Sequence, residues 1–219
     1  MKIIISIIIA YLLGSIPFGF LIGRLIKGID IRQYGSKNIG ATNVYRVIGI
    51  IPGIISFILD FFKGFFAVQI GRWLLESSTN IFNIPILNVL NNIEVTQTFQ
   101  ILIIIVGISV MLGHIFPIFL QFKGGKGVAT GAGAFINIAP IPVVYALTSF
   151  VITLFIFRYV SLASMIAVAA FFISELIRNI PKFNELPFLI LTAFIMILII
   201  FRHKENIKRL KNGKEKKLW

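Results

Sequence analysis

The chain has 219 residues, of which 58% are hydrophobic and 13% charged, with a mean hydropathy of +0.96. Soluble domains are about 45–50% apolar and about 25% charged, so this composition excludes an ordinary soluble domain. Cysteine is absent, which excludes disulfides and thiolate chemistry, and the two histidines argue against an all-histidine metal site. The net charge of +13 comes from cations that cluster between and after apolar runs without interleaved aromatics, a pattern that favours anionic lipid and not nucleic acid as a partner.

Seven apolar runs follow one another along the chain, and a transmembrane helix needs about 20 such residues. The runs cover residues 3–26, 48–75, 101–122, 128–138, 143–157, 159–177 and 188–201. The first begins like a signal peptide, but no small-residue cleavage site follows it, so we interpret it as a retained helix. Because no linker or repeat divides the pattern, the sequence predicts one all-α integral membrane domain over residues 1–219, with seven transmembrane helices, some of them short.

The distribution of Lys and Arg predicts the orientation of these helices, since cytoplasmic loops carry an excess of both. An N-terminus outside places 17 of the 21 cations on the inner side and 4 on the outer side. We therefore predict an external N-terminus and a cytoplasmic C-terminus. The runs 128–138 and 143–157 either both span or form one re-entrant hairpin. The basic tail, residues 208–217, is most simply a contact with anionic lipid.

The first polar segment on the inner side combines small residues, hydroxyls, amides and a cation within twelve positions. It contains Ser36, Asn38, Gly40, Thr42, Asn43 and Arg46. Glycine lets backbone N–H groups approach a ligand closely, and hydroxyls and amides both donate and accept hydrogen bonds. Turn and cap residues would account for one or two of these side chains, whereas their number favours a binding site.

A second polar segment is a glycine-rich loop that opens into a predicted helix. It consists of Lys123, Gly124, Gly125, Lys126 and Gly127, followed by Val128, Ala129 and Thr130. N–H groups at a helix N-terminus favour phosphate, and Lys126 adds a full positive charge, although the spacing is not that of a Walker A loop. The pattern is consistent with a phosphate site or with a basic loop that anchors a helix at lipid headgroups.

Other polar residues lie within the apolar runs or at their ends. Asp60 and Lys63 are three apart and can pair on one helical face, for structure or for function alike. His114 lies inside a span, where a hydrogen-bonded interior histidine is at least as good an explanation as catalysis. His203 and Asn206 share one helical face at the membrane edge, where an imidazole and an amide can bind a phosphate or an alcohol.

Five motifs occur in order from about residue 11 to residue 210. They are Gly35-Ser36-x-Asn38-x-Gly40-Ala41-Thr42-Asn43-x-x-Arg46, Asp60-x-x-Lys63-Gly64, Gly113-His114-x-x-Pro117, Lys123-Gly124-Gly125-Lys126-Gly127-Val128-Ala129-Thr130 and Arg202-His203-x-x-Asn206-Ile207-x-Arg209-Leu210. Together they closely resemble the bacterial acyl-phosphate:glycerol-3-phosphate acyltransferases, small membrane enzymes of phospholipid synthesis. Lys37 and Ile39 stand where many members have Gly and Pro, which predicts a less tight first loop.

The resemblance implies a seven-helix enzyme of the bacterial inner (plasma) membrane with its active site on the cytoplasmic side. It implies transfer of a fatty acyl group from acyl phosphate to the 1-hydroxyl of glycerol 3-phosphate, giving lysophosphatidic acid and phosphate, without metal or cofactor. The hydroxyl proton would pass to a substrate phosphate, which agrees with the scarcity of carboxylates on the inner side.

Residue by residue, the resemblance implies two groups of site residues. The catalytic group is Ser36, Thr42, Arg46, Lys126, His203 and Asn206. The substrate-binding group is Asn38, Gly40, Asn43, Lys123, Gly124, Gly125, Gly127 and Ser161, with Ser164 as the alternative to Ser161. The expected partners are glycerol 3-phosphate, acyl phosphate and membrane lipids.

Two other functional classes fit part of the pattern. A small transporter or channel for an anionic phosphorylated metabolite would explain the spans, the glycine breaks and the cations. Transporters place their sites near the midplane, however, whereas these polar segments gather on one face. A non-catalytic membrane assembly factor would explain the composition but not the clustered anion-binding segments.

Overall fold

The computed structural model describes residues 1–79, 93–179 and 186–219, and every regular element in these ranges is helical. The all-α prediction is therefore confirmed for the described chain. The chain divides into two compact units, Met1–Ile138 and Ala139–Trp219. The single domain over residues 1–219 stays a prediction.

The described part of the first unit contains six α-helices. They are α1 (Lys2–Ser15), α2 (Phe18–Lys27), α3 (Ala41–Val47), α4 (Ile50–Thr79), α5 (Ile93–Ile115) and α6 (Val128–Phe135). The break between α1 and α2 falls at Pro17, because proline cannot donate the backbone hydrogen bond that a continuous helix requires. Short 3₁₀ turns at Ile31–Gln33 and Ile118–Leu120 lead into the two polar loops.

Glycines allow the helices of the first unit to pack backbone against backbone. A Cβ at Gly14 of α1 would overlap the carbonyl of Val110 in α5. A Cβ at Gly64 of α4 would likewise overlap the carbonyl of Thr130 in α6. Small residues at such crossings are what permits close helix packing in membranes. The close approach of α4 and α6 fixes the helix that follows the glycine-rich loop.

The second unit contains four helices among its described residues. They are α7 (Pro140–Phe157), α8 (Val160–Asn179), α9 (Leu186–Arg202) and α10 (Lys204–Lys211). Helix α8 packs against both α7 and α9. Arg158, in the left-handed conformation with φ 64°, makes the turn between α7 and α8. At His203 the chain bends by 55° between α9 and α10.

Five helical segments of the described chain are long and apolar enough to cross a membrane. They are Lys2–Lys27, Ile50–Glu76, Thr98–Leu120, Pro140–Phe157 and Val160–Arg178. The bent pair of α9 and α10 would make a sixth. Exposed apolar side chains such as Phe155, 76% accessible, are typical of helices that contact lipid. The predicted seven spans are not confirmed, because the eight residues of α6 rise only about 12 Å through a hydrocarbon core of about 30 Å.

Candidate active site

The first polar loop is organised by the side chain of Asn43, which is buried at the start of α3. Its Oδ1 accepts the N–H of Ser36 at 2.8 Å. Its Nδ2 lies 2.8 Å from the carbonyl oxygen of Asn38 and 3.1 Å from those of Ile31 and Tyr34. One amide therefore closes the loop on itself, because these hydrogen bonds join residues on both sides of the turn. This favours a structural role for Asn43, and its predicted contact with substrate stays a prediction.

Two further details fix the shape of this loop. Asn38 Oδ1 accepts the N–H of Gly40 at 2.8 Å, as in an Asx turn. Lys37 adopts φ 57°, in the left-handed region that favours glycine. This conformation offers a backbone reason for a glycine at this position, where this chain has a lysine.

A buried apolar cluster joins the first loop to the start of the second. Its fully buried members are Ile22, Ile31, Ile39, Val44 and Leu120. Ile39 and Val44 belong to the first polar segment, whereas Leu120 lies three residues before Lys123. Both polar segments are therefore anchored on one core within the first unit.

The glycine-rich loop is tied to the C-terminal end of α5 through His114. The N–H of Gly125 donates to the carbonyl oxygen of His114 at 3.0 Å, and the His114 ring lies directly against Gly125. A ligand cannot use this N–H without breaking the bond, so the binding role predicted for Gly125 would have to come from other atoms. Gly127, with φ 82°, then makes the left-handed turn that starts α6.

His114 belongs to a row of buried polar side chains in contact with one another. Lys63 Nζ lies 2.8 Å from Asp60 Oδ1 and donates to the carbonyl oxygen of Ile16, where α1 ends, at 2.8 Å. Asp60 Oδ1 lies 3.5 Å from His114 Nδ1, which in turn is 3.1 Å from Thr130 Oγ1. The predicted pairing of Asp60 with Lys63 is confirmed. A charge in an apolar interior is tolerated only when it is paired and hydrogen-bonded. The contacts of this pair connect α1, α4, α5 and α6.

The remaining predicted residues of the first unit lie around these two loops. Ser36, Asn38, Gly40, Thr42, Arg46, Gly124 and Lys126 are partly exposed, Gly125 and Gly127 are buried, and Lys123 is exposed. Arg46 in α3 and Lys126 in the glycine-rich loop are half-buried, so part of their hydration is removed. Such a site can bind and orient an oxyanion, which is the chemistry predicted for Arg46 and Lys126.

In the second unit, the carboxylate of Glu215 accepts hydrogen bonds from three side chains, two of which are predicted site residues. Glu215 Oε1 accepts the hydroxyl of Ser161 at 3.0 Å and the amide of Asn206 at 2.8 Å. Glu215 Oε2 accepts Arg209 Nε at 2.7 Å. Burial would raise the pKa of the Glu215 carboxyl, but the hydrogen bonds from Arg209, Asn206 and Ser161 outweigh it and hold the pKa below its ordinary value.

The structure distinguishes between the two candidate serines. Ser164 donates its hydroxyl to the carbonyl oxygen of Val160, one turn back in its own helix, at 2.8 Å. Ser161 instead points its hydroxyl at the carboxylate that Asn206 also binds. The arrangement favours Ser161 as the serine of this site.

His203 is buried in the bend between α9 and α10. Its Nδ1 lies 2.8 Å from the carbonyl oxygen of Ile199. A carbonyl oxygen can only accept, so Nδ1 carries the proton, and Nε2 of a neutral ring is an acceptor. The bond also fixes the orientation of the imidazole at the turn.

The sequence of this chain matches a known protein family over almost its whole length. A family model described as Glycerol-3-phosphate acyltransferase matches residues 4–213, almost the whole chain. The chain belongs to the glycerol-3-phosphate acyltransferase family. All five motifs named above lie inside the matched range.

Individual relatives of this acyltransferase family match over nearly their full length. A glycerol-3-phosphate acyltransferase of Geotalea daltonii is 44% identical over 97% of this chain and 95% of its own length. Glycerol-3-phosphate acyltransferase 2 of Bacillus anthracis is 41% identical over 98% of each chain.

Two solved structures of a family member share the fold. They are crystal structures of PlsY (YgiH), an integral membrane glycerol 3-phosphate acyltransferase. The glycerol 3-phosphate form superposes with a TM-score of 0.80 at 35% identity, covering 99% of this chain and 96% of that chain. The lysophosphatidic acid form gives a TM-score of 0.76 at 34% identity, covering 99% and 95%. Together with the apolar helices, this likeness supports a multi-pass membrane protein.

Two of the residues that contact predicted site residues do not stand out in the sequence. Thr130 was treated only as the end of a motif, yet its hydroxyl meets His114 inside the buried chain of polar groups. Glu215 was not singled out at all, although it binds two of the predicted residues. An acid within a strongly basic tail was the one available signal.

Proposed function

We propose that this chain is a glycerol-3-phosphate acyltransferase that takes its acyl group from acyl phosphate. The observation that carries the proposal is the construction of the glycine-rich loop. The N–H of Gly125 donates to the carbonyl oxygen of His114, the His114 ring packs against Gly125, and the neighbouring Lys126 is half-buried. A loop anchored in this way that carries a cation is suited to a phosphorylated ligand, and family membership supplies the reaction class.

The proposed reaction is a direct acyl transfer. The 1-hydroxyl oxygen of glycerol 3-phosphate attacks the acyl carbonyl carbon, and the bond between that carbon and the phosphate oxygen breaks. The hydroxyl proton passes to a phosphate oxygen of a substrate, so that lysophosphatidic acid and inorganic phosphate leave. No protein base is needed, because the substrates themselves carry basic oxyanions.

The protein would contribute position and charge. Arg46 and Lys126 would bind the phosphate groups and stabilise the charge that develops at the attacked carbonyl, and Ser36 and Thr42 would orient the substrates by hydrogen bonds. Removing one donor to a developing oxyanion typically costs about 2.7–4 kcal/mol of transition-state stabilisation. Holding the hydroxyl against the carbonyl supplies further acceleration, since the reaction becomes effectively unimolecular.

In the second unit, substrate-binding roles are proposed for His203, Asn206 and Ser161. His203 would contribute its imidazole, whose orientation is fixed by the contact of Nδ1 with the carbonyl oxygen of Ile199. Asn206 and Ser161 would donate to a phosphoryl oxygen, as they now donate to a carboxylate. An acyl phosphate has a charged head and an apolar tail, which suits a site at the inner edge of the bacterial plasma membrane. We place the N-terminus outside and the active site on the cytoplasmic side of seven crossings.

The test is phosphate release by the purified full-length protein in detergent or lipidic mesophase. Glycerol 3-phosphate with acyl phosphate should release phosphate and form lysophosphatidic acid, whereas acyl-CoA should give no product. Lys126→Ala and Arg46→Ala should lose at least about tenfold in kcat/KM, while Lys208→Ala, which removes an exposed cation of α10, should retain wild-type rates. Wild-type activity in both loop variants would refute their roles. Uptake of a phosphorylated solute into liposomes without acyl product would favour a transporter.

A further inference from the structure

The C-terminal tail places a carboxylate on the donors that the proposed function assigns to a phosphate. Glu215 is 3% exposed at its side chain, and both of its oxygens are bound: Oε1 by Ser161 and Asn206, and Oε2 by Arg209. A hydroxyl, an amide and a guanidinium converging on one group form an oxyanion site, because each of them donates and one carries positive charge.

The tail reaches this position by a turn after α10. Gly213 adopts φ 65°, and the N–H of Lys214 donates to the carbonyl oxygen of Arg209 at 2.8 Å. Further on, the N–H of Leu218 donates to the carbonyl oxygen of Arg158 at 2.8 Å. The ammonium of Lys217 lies 5.9 Å from the ring centroid of Tyr159. Such a segment lies outside every helix, so it can leave without unfolding one.

Carboxylate and phosphoryl oxygens take the same donors, and one set of donors cannot fully serve both. We propose that Ser161, Asn206 and Arg209 form a phosphoryl-binding site and that Glu215 occupies it in the resting protein as a built-in competitor. The inference rests on the proposed function, which it deepens by adding Arg209 to the site and by naming how access to it is regulated. The ligand is the phosphoryl group of glycerol 3-phosphate, of acyl phosphate or of free phosphate.

Competition of this kind has a calculable effect on affinity. The apparent Kd of a ligand is its intrinsic Kd divided by the fraction of protein in which the site is open. If the tail occupies the site for about nine-tenths of the time, its removal tightens phosphate binding by about tenfold. A purely structural carboxylate would produce no such gain, and its loss would loosen the site instead.

The experiment measures binding separately from turnover. Isothermal titration calorimetry on the full-length protein in detergent would use inorganic phosphate, glycerol 3-phosphate and, as a neutral control, glycerol. Glu215→Gln removes the charge, and Glu215→Asp keeps it but shortens the reach by one methylene. Glu205→Gln, an exposed acid on α10, controls for the loss of one negative charge nearby. Arg209→Gln in the Glu215→Gln background tests the added site residue.

We expect Glu215→Gln to bind phosphate and glycerol 3-phosphate about tenfold more tightly than wild type. Glu215→Asp should lie between them, Glu205→Gln should match wild type, and Arg209→Gln should reverse the gain. A gain for inorganic phosphate but not for glycerol 3-phosphate would identify free phosphate as the ligand. Equal or weaker phosphate binding in Glu215→Gln, with an unchanged unfolding midpoint, would overturn the inference.

Failure of the two ideas can be told apart. Tighter binding in Glu215→Gln without phosphate release by any variant would leave the oxyanion site standing and refute the acyltransferase. Normal turnover with unchanged phosphate affinity would do the reverse. If Glu215→Gln fails to fold, Glu215→Asp decides by the same criterion. Loss of folding in both would identify the carboxylate as a structural tie and overturn the inference.

Discussion

Gly125 donates its N–H to the carbonyl oxygen of His114 at 3.0 Å, and its Cα lies against the His114 ring. A Cβ at this position would overlap the imidazole, so Gly125→Ala must displace either the ring or the loop. A displacement of about 1 Å at a catalytic site can cost on the order of 10²-fold in rate. We therefore expect Gly125→Ala to lose about that factor in phosphate release while the protein still folds.

A matched glycine controls for this substitution. Gly23 in α2 has only ordinary van der Waals neighbours at the position of an added Cβ, the nearest at 3.4 Å. Gly23→Ala should therefore keep wild-type turnover. Comparable rates for Gly125→Ala and Gly23→Ala would show that contact between the loop and His114 is unimportant for activity.

The second prediction concerns Asn43 and the shape of the first loop. Asn43→Ala removes the acceptor of the Ser36 N–H and the donor to three backbone carbonyls. Each buried polar group left without its partner costs about 1–3 kcal/mol, so we expect a loss of at least about 2 kcal/mol in unfolding free energy. Asn43→Asp keeps the acceptor but sets a carboxylate against the carbonyls, and it should be at least as destabilising.

Ser36→Ala provides the comparison, because Ser36 contributes its backbone N–H to Asn43, and alanine retains that group. The free energy of unfolding of Ser36→Ala should lie within about 0.5 kcal/mol of wild type, but the variant should bind glycerol 3-phosphate more weakly. Thermal unfolding and the KM for glycerol 3-phosphate separate the two effects. If Asn43→Ala were as stable as Ser36→Ala, the organising role of the amide would be wrong.

Local spacing was sufficient for some of these features. The three-residue separation of Asp60 and Lys63 predicted their pairing, and the structure confirms it at 2.8 Å. The glycine-rich run predicted a loop before a short helix, and α6 indeed begins at Val128. In both cases the relevant partners lie within a few residues, so periodicity and turn chemistry determine the outcome.

Relationships between distant residues were not available from the sequence. Glu215 lies 54 residues from Ser161, and the basic tail around it was interpreted as a lipid contact. The hydrogen bonds of the Asn43 amide to the loop backbone could not be read from the sequence, and its predicted contact with substrate stays a prediction. An amide or a carboxylate binds a ligand and a neighbouring backbone by the same chemistry, so only the fold can tell which partner it has.

The third prediction uses the conformation of Lys37. A non-glycine residue in the left-handed region costs about 1–2 kcal/mol, whereas glycine adds about 0.5–1 kcal/mol of entropy cost on folding. Because Lys37 lies at φ 57°, Lys37→Gly should raise the free energy of unfolding by about 0.5 kcal/mol, seen as a higher unfolding midpoint. Lys37→Ala keeps the strained backbone and should give no gain. Equal midpoints for the two variants would contradict the argument.

The fourth prediction concerns the number of crossings. Five candidate spans and the bent pair containing α9 make six, which would leave both termini on one side. An external N-terminus with a cytoplasmic C-terminus follows if residues 128–139 add a short seventh crossing, or if the two runs 128–138 and 143–157 form the re-entrant hairpin and five crossings remain. Since the chain has no cysteine, Lys2→Cys and Lys211→Cys each carry a unique label site. An impermeant maleimide on spheroplasts should label Lys2→Cys directly and Lys211→Cys only after permeabilisation.

Labelling both variants in denaturant controls for the reactivity of the thiols. Equal labelling of the two cysteines in intact spheroplasts would place the termini on the same side. Residues 128–139 would then be re-entrant and not a crossing.

The last prediction tests the buried pair of Asp60 and Lys63 by a double-mutant cycle. Asp60→Asn or Lys63→Met alone leaves one charge in an apolar interior, which should cost about 3–5 kcal/mol of stability. Changing both at once removes the uncompensated charge, so the double variant should be more stable than the less stable single variant and the coupling energy should be large. Because Asp60 also faces His114 at 3.5 Å, the double variant should still lose turnover through the glycine-rich loop. Additive losses of stability would show that the two charges are not coupled. Full activity in the double variant would show that the pair and the glycine-rich loop are independent.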